Sequence, residues 1–138
     1  MMAYQQTFQF HHTYDTLPSG IQIQAALKLG DEVVFTDAKI DTGAQVCLFR
    51  REIGEMLGLA IESGHRLVLA GIAGTLVAYG HQVTLHTLGL EFDSMVYFAE
   101  PYGLRRNLLG RAGWLQKVRL AIVDYDSALY LSPYQDQA

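Results

Sequence analysis

Cysteine is almost absent from this sequence, since Cys47 is the only one among 138 residues. No internal disulfide can form, which fits a reducing compartment. Cys47 stands between Val46 and Leu48, and no histidine lies near it in the chain to activate it. We therefore expect Cys47 to be a small buried hydrophobic residue rather than a reactive thiol.

Charged residues are also scarce, at 17% of the chain, and 10 basic residues stand against 14 acidic ones. Basic residues are grouped in nothing larger than pairs such as Arg50-Arg51 and Arg105-Arg106, and the net charge is −4. Phosphate binding requires a concentrated basic face, so we expect no nucleic-acid partner. Half of the residues are hydrophobic, which favours an ordered core over disorder.

Long apolar runs are missing as well. The longest uncharged apolar stretch, 67–79, is shorter than the roughly 20 residues that span a bilayer, and glycines interrupt it. Residues 1–6 lack the basic and then apolar pattern of a secretory signal. We expect a soluble, cytoplasmic protein with no membrane partner.

Histidine is present but does not form a metal-binding pattern. His11 and His12 are adjacent and would face opposite sides of a strand. His81 and His86 are five residues apart, which also separates their faces, and no set of cysteines or carboxylates completes a zinc site. The sequence predicts neither a metal nor a cofactor.

The chain predicts one mostly β domain, 21–138, preceded by an N-terminal arm, 1–20, that could form an edge strand or a dimer strand. Period-two alternation predicts a hairpin whose strands meet at Gly30-Asp31. A short helix is expected over 50–59, with Ile53, Met56 and Leu57 on its buried face. The remaining predicted elements are strands at 65–70, 75–87, 90–98, 118–123 and 128–131, and a brief helix after Gly110.

The organising stretch of the sequence is 38–49, in which Asp41-Thr42-Gly43 interrupts two apolar segments. Aspartate and glycine are poor strand formers, so the pattern predicts a strand, a tight loop and a strand. A carboxylate at that place is poorly solvated unless another group pairs with it. Taken alone, such a tripeptide is more often an ordinary turn.

Four features follow one another along the chain and together favour a functional role for the tripeptide over an ordinary turn. They are Ile40-Asp41-Thr42-Gly43-Ala44, a glycine-tipped hairpin at 71–74, Leu108-Leu109-Gly110-Arg111 before a short helix, and a closing pair of strands. Over about residues 21–132 the chain resembles a retropepsin-type aspartic protease. The resemblance implies a mostly β, closed, barrel-like fold with one or two short helices and one half-site per chain. It also implies a homodimer that cleaves an extended peptide or protein substrate.

The resemblance assigns the site residues one by one. Asp41 would be the catalytic acid, one from each chain. The residues that support the active-site loop would be Thr42, Gly43, Ala44, Leu109, Gly110 and Arg111, with Leu108-Leu109-Gly110 packed behind the loop. The flap that covers the substrate would be formed by Gly71, Ile72, Ala73 and Gly74.

The chemistry explains why two chains are needed. Peptide hydrolysis without a covalent intermediate needs an activated water and a proton donor, and two close carboxyl groups that share one proton supply both. No second acid in the chain suits this role, since Asp37, Asp93, Asp124 and Asp126 lack the same loop motif. A two-fold axis would instead bring a second Asp41. Apolar subsites would favour hydrophobic residues at the cut bond.

One departure from the family pattern leaves alternatives open. Retroviral members often carry acids soon after Asp-Thr-Gly, one of which pairs with the equivalent of Arg111, but Gln45 and Val46 stand here. The partner of Arg111 is therefore not predicted. A catalytically silent module that binds peptides or dimerises remains the alternative function, and a small β-barrel that binds an apolar ligand is a third.

Overall fold

The computed structural model describes residues 2–135. Residues 136–138 of the predicted domain lie outside this range, as does Met1 of the arm. The strands are β1 Phe10–Thr13, β2 Gln22–Leu29, β3 Glu32–Ile40, β4 Leu48–Phe49, β5 His65–Gly71, β6 Gly74–Thr87, β7 Leu90–Ala99, β8 Leu108–Leu109, β9 Val118–Val123 and β10 Ala128–Pro133. The helix is α1 Arg51–Met56, and 3₁₀ turns lie at Ile61–Ser63, Leu115–Lys117 and Asp124–Asp126.

Strands make up 52% of the chain and helical residues 11%, so the predicted mostly β fold is confirmed. The larger sheet has the order β2-β3-β8-β4-β7-β6-β5. Residues 84–87 of β6 also pair with residues 25–28 of β2, the first strand in this order. The strands from β2 to β6 therefore form a closed cycle of pairings. Among the described strands of this larger sheet, only β5 lies outside the cycle, because it pairs with β6 alone.

The smaller sheet has the order β1-β10-β9, and both of its pairings are antiparallel. Its edge strand β1 comes from the N-terminal segment, where Phe10 is opposite Leu131 and Thr13 opposite Ala128. Tyr14 continues the contact, since its backbone N–H donates to the carbonyl of Ser127. Residues 10–14 are therefore tied to the closing hairpin of the chain.

The buried hydrophobic residues form a large main core and a second, smaller cluster around Leu48, Ala78 and Ala99. Strand alternation fills the main core, since Ile23, Ala25 and Leu27 of β2 point inward and meet the inward side of β3. Trp114 is fully buried in this core, and its indole N–H donates to the Thr87 hydroxyl at 2.9 Å. A buried tryptophan needs such a partner, because an unpaired N–H in an apolar interior is costly.

Helix α1 is shorter than predicted, and one residue of its predicted apolar face is wrong. Met56 is 61% exposed, whereas Ile53 and Leu57 are buried as expected. Gly54 is the further buried position, and a β-carbon there would lie 2.5 Å from the side chain of Ile61. The helix therefore packs closely through a glycine, and Met56 at its last position turns to solvent. No helix within residues 2–135 is long and apolar enough to cross a membrane.

Candidate active site

Asp41 lies directly after the last residue of β3, where the chain leaves the sheet. Strand β8 runs parallel to the end of β3, with Ile40 opposite Leu109, and the backbone N–H of Asp41 donates to the Leu109 carbonyl at 3.0 Å. The strand pairing thus continues one residue past β3 and fixes the backbone that carries the carboxylate. In the single chain Asp41 is partly exposed.

The loop after Asp41 is a turn that the aspartate itself stabilises. The backbone N–H of Gly43 donates to Asp41 Oδ1 at 3.0 Å, and the N–H of Ala44 donates to the Asp41 carbonyl at 3.2 Å. Aspartate commonly bonds backbone two residues further on in this way. Thr42 and Gly43 are exposed, and the Thr42 hydroxyl has no hydrogen bond among residues 2–135. The loop presents the carboxylate and the hydroxyl outward on a fixed backbone.

Gly110 lies against the far side of this loop. The N–H of Arg111 donates to the Ala44 carbonyl at 2.9 Å, and the N–H of Ala112 donates to the Gln45 carbonyl at 2.9 Å. A β-carbon on Gly110 would lie 2.1 Å from the carbonyl oxygen of Val46, so no residue with a side chain fits there without moving backbone. The structure therefore brings Leu109, Gly110 and the backbone of Arg111 together with the loop.

Two side chains beside the loop have different surroundings. Cys47 is fully buried as expected, and burial raises its thiol pKa to about 11, partly offset by a hydrogen bond with the backbone of Gly110. Arg111 is exposed, and its side chain makes no ion pair in the described part of the chain. Residues 2–135 of one chain therefore supply no acidic partner for the Arg111 guanidinium.

The predicted strand after the loop is much shorter than expected. Only Leu48–Phe49 pairs as a strand, between β7 and β8, and Val46 forms an isolated bridge with Ala112. The carbonyls of Ala44 and Gln45 instead accept the N–H groups of Arg111 and Ala112, directly after Gly110. The loop is thus wider, and it is held from behind rather than by strands on both sides.

Asn107 is a structural residue of the site that the sequence did not reveal. It is 4% exposed, and its amide nitrogen donates to the Thr36 hydroxyl and the Asp37 carbonyl, both at 2.9 Å. Its side-chain oxygen accepts the N–H of Arg50 at 2.9 Å. One side chain therefore links β3, the start of α1 and the approach to β8. Its place directly before Leu108 was the available signal.

The predicted flap residues form the end of the β5–β6 hairpin. Gly71 pairs with Gly74, so the connection consists of two residues, Ile72 and Ala73, rather than the predicted four. Ile72 is fully exposed, and a β-carbon on either glycine would meet no atom within 4 Å. The hairpin tip is therefore open to solvent in the single chain.

Two of the other acids considered at the sequence level, Asp93 and Asp124, are engaged elsewhere. Asp93 accepts a hydrogen bond from Thr84 at 2.8 Å, and Asp124 accepts one from the buried Tyr14 hydroxyl. Within residues 2–135 no three His, Cys, Asp or Glu side chains are grouped so that they could hold a metal ion. Neither Asp93 nor Asp124 is therefore available as a second carboxylate for Asp41.

Comparison with solved structures identifies the fold. The chain is similar to a retropepsin-like aspartic protease from Rickettsia conorii, with a TM-score of 0.65 and 18% identity over 88% of this chain and 96% of that one. The fold is retropepsin-like. The EIAV protease in complex with an inhibitor also matches, with a TM-score of 0.54 and 16% identity over 70% of this chain and 86% of that one. No protein-family model and no curated protein sequence matches the chain.

Proposed function

We propose that the protein is a homodimeric aspartic endopeptidase. One observation carries the proposal: a partly exposed Asp41 stands on a loop whose backbone is fixed from behind by the Gly110 segment, in a retropepsin-like fold. Each chain supplies half of the site, and the cycle of strand pairings is the closed, barrel-like body of that half. The exposed loop is the surface through which two halves meet.

The chemistry follows from pairing two identical carboxylates across a two-fold axis. Two carboxyl groups in close contact cannot both ionise, because their negative charges repel each other. The pair therefore holds one proton, as in aspartic proteases generally. The ionised carboxylate removes a proton from the attacking water, and the protonated one donates a hydrogen bond to the substrate carbonyl. The pair then returns a proton to the leaving nitrogen. Because the two groups titrate together, activity should be highest where one proton is shared.

Two further features support a dimeric site. The exposed Thr42 hydroxyl, which has no partner within the described chain, can bond to backbone of the second loop and hold the two loops in register. The β5–β6 hairpin would act as a flap, with Ile72 and Ala73 as its apolar contact surface. Closing it would exclude water from the dyad and hold an extended substrate like an added strand. Hydrophobic residues at the cut bond would fit the apolar contacts.

The test compares the parent protein with Asp41→Asn on a diverse peptide library, read by mass spectrometry between about pH 4 and 8. The substitution keeps the shape and removes the acid. Asp31→Asn is the matched control, because Asp31 lies at the exposed β2–β3 turn and undergoes the same chemical change. The parent and the control should cleave beside hydrophobic residues, and Asp41→Asn should not.

Two results would overturn this function. Equal cleavage by the parent and Asp41→Asn would show that Asp41 is not the catalytic residue. An absence of cleavage at concentrations where sedimentation shows the parent to be dimeric would favour the catalytically silent module that binds peptides or dimerises. A peptide that binds the dimer without being cut would then identify that module's ligand.

A further inference from the structure

Four basic side chains from three separate stretches line one surface depression of about 170 Å³. They are Lys39 of β3, Arg50 directly before α1, and Arg105 and Arg106 in the segment before β8, and we call them the basic cluster. Its volume has room for several waters of about 30 Å³ each, and hence for a carboxylate group. One acidic side chain, Asp37, also lines the depression.

Most side chains of the basic cluster are not paired with an acidic side chain. Within residues 2–135 it takes part in one ion pair, in which an Arg50 nitrogen lies 3.7 Å from a Glu52 oxygen. Lys39, Arg105 and Arg106 form no ion pair in that range. The whole chain carries a net charge of −4, so this concentration of unpaired cations runs against the average of the molecule. Such a polar, positively charged concavity attracts anionic groups.

The backbone beneath the basic cluster is well anchored. Buried Asn107 follows Arg106 directly, and it bonds to β3 and to the N–H of Arg50. The Lys39 stem lies over Gly20, where a β-carbon would be 2.5 Å from Lys39 Cε. The basic side chains therefore project from an anchored backbone, which lowers the cost of ordering this surface around a ligand.

The basic cluster begins close to Asp41. Ala38 and Ile40 of β3 are buried, so the alternate residues Asp37, Lys39 and Asp41 leave the chain on the opposite side. At about 3.3 Å per residue, Lys39 lies about 7 Å from Asp41 along the strand direction. An extended peptide advances by the same distance in two residues.

Building on the proposed function, we propose that the basic cluster selects substrates with an acidic side chain about two to three residues from the cut bond. The carboxylate of Asp or Glu would enter the depression and bond to Arg105, Arg106 and Lys39, since arginine and carboxylate pair through charge-assisted hydrogen bonds. Two-fold symmetry would place one such cluster on each side of the dyad. The substrate class is then a hydrophobic cleavage site flanked by acidic residues.

The test has a cleavage arm and a binding arm. The first measures kcat/KM for matched peptides that carry Glu or Gln two or three residues from one cut bond, with the parent and with Arg105→Gln/Arg106→Gln. The second measures binding of a fluorescent peptide of each kind to Asp41→Asn by anisotropy, with and without the arginine changes, which needs no catalysis. Both arginines are exposed, so the double variant should fold.

The matched control is Lys28→Gln/Lys117→Gln, which removes the same charge from two other surface depressions. We expect the parent to prefer the Glu peptide by about twofold to fivefold, as for partly exposed ion pairs. The arginine variant should lose this preference and the control should keep it. Raising ionic strength from about 0.1 M to 1 M should weaken the preference, because screening shortens from about 10 Å to 3 Å.

The outcomes separate this inference from the proposed function. Cleavage with no preference for Glu, or a preference that survives in the arginine variant, would overturn the proposed role of the basic cluster. The proposed protease activity would still stand. Selective binding of the Glu peptide that depends on the arginines, without any cleavage, would uphold the cluster and overturn the protease. Tighter arginine-dependent binding of a single-stranded oligonucleotide than of the Glu peptide would overturn the peptide assignment.

Discussion

Replacing Gly110 with alanine should disrupt the candidate site from behind. The new β-carbon would lie 2.1 Å from the Val46 carbonyl oxygen, 2.7 Å from the Val46 carbonyl carbon and 2.8 Å from the Ala44 carbonyl oxygen. All three are backbone atoms, so no side chain can rotate away to relieve the contact. The loop and the Gly110 segment must therefore separate by roughly 1.3 Å to restore ordinary contact.

The magnitude follows from what this separation breaks. Forcing extra atoms into a packed site costs about 1 to 3 kcal/mol. The displacement also strains the backbone hydrogen bonds from Arg111 to Ala44 and from Ala112 to Gln45, each worth about 1 kcal/mol. We expect a loss of about 3 to 5 kcal/mol in the free energy of unfolding. With about 2.1 cal/mol/K of unfolding entropy per residue over this chain, Tm should fall by about 10 to 17 °C.

The assay is thermal unfolding followed by circular dichroism at one fixed protein concentration, since dimer formation would make Tm depend on concentration. Gly71→Ala is the matched control, because a β-carbon there meets no atom within 4 Å and the backbone is unstrained. Its Tm should stay within about 2 °C of the parent. A Gly110→Ala variant that unfolds within about 3 °C of the parent would refute the reasoning from close backbone approach.

Three other predictions test the core and its titrating groups. Trp114→Phe should lower the free energy of unfolding in urea by about 2 to 4 kcal/mol, because it leaves a cavity and an unpaired Thr87 hydroxyl; a loss under about 1 kcal/mol would contradict this. Cys47, whose pKa burial raises to about 11, should resist a thiol reagent at about pH 8 until the protein unfolds, and rapid labelling of the native protein would count against the buried position. The hydrogen bond to Asp124 raises the pKa of Tyr14 to about 12. The stabilisation from this bond is therefore complete below about pH 10 and is lost as pH rises to about 12. The urea midpoint of Tyr14→Phe should decline less steeply over that pH window than the midpoint of the parent, and an equally steep decline would contradict this linkage.

The hairpins were predictable because they depend on local patterns. Alternation over β2 and β3, with Gly30 at the turn, required no knowledge of distant contacts. The same holds for Leu88 and Gly89 between β6 and β7, where both residues have positive φ. Trp114 could be placed in the core because it is large and apolar, although its partner Thr87 could not be named.

The features that were missed depend on segments far apart in the chain. Met56 fitted a helical period, but α1 ends there and Gly54 takes the buried place against Ile61. Asn107 was an ordinary polar residue until the fold placed three segments around its side chain. Arg50 and Arg106 were read as members of isolated pairs, since nothing local shows that they share one depression.

The central claim is that two copies of Asp41 form one catalytic pair, and mixing subunits tests it most directly. The parent and Asp41→Asn would be mixed in different ratios at constant total chain concentration, allowed to exchange subunits, and assayed on a peptide that the parent cleaves. If each site needs both carboxylates, activity should follow the square of the parent fraction and fall to about one quarter in an equal mixture. A linear fall, to about one half, would show that each Asp41 acts independently, and a fall to only about three quarters would show that one Asp41 per dimer suffices; either result would contradict the account.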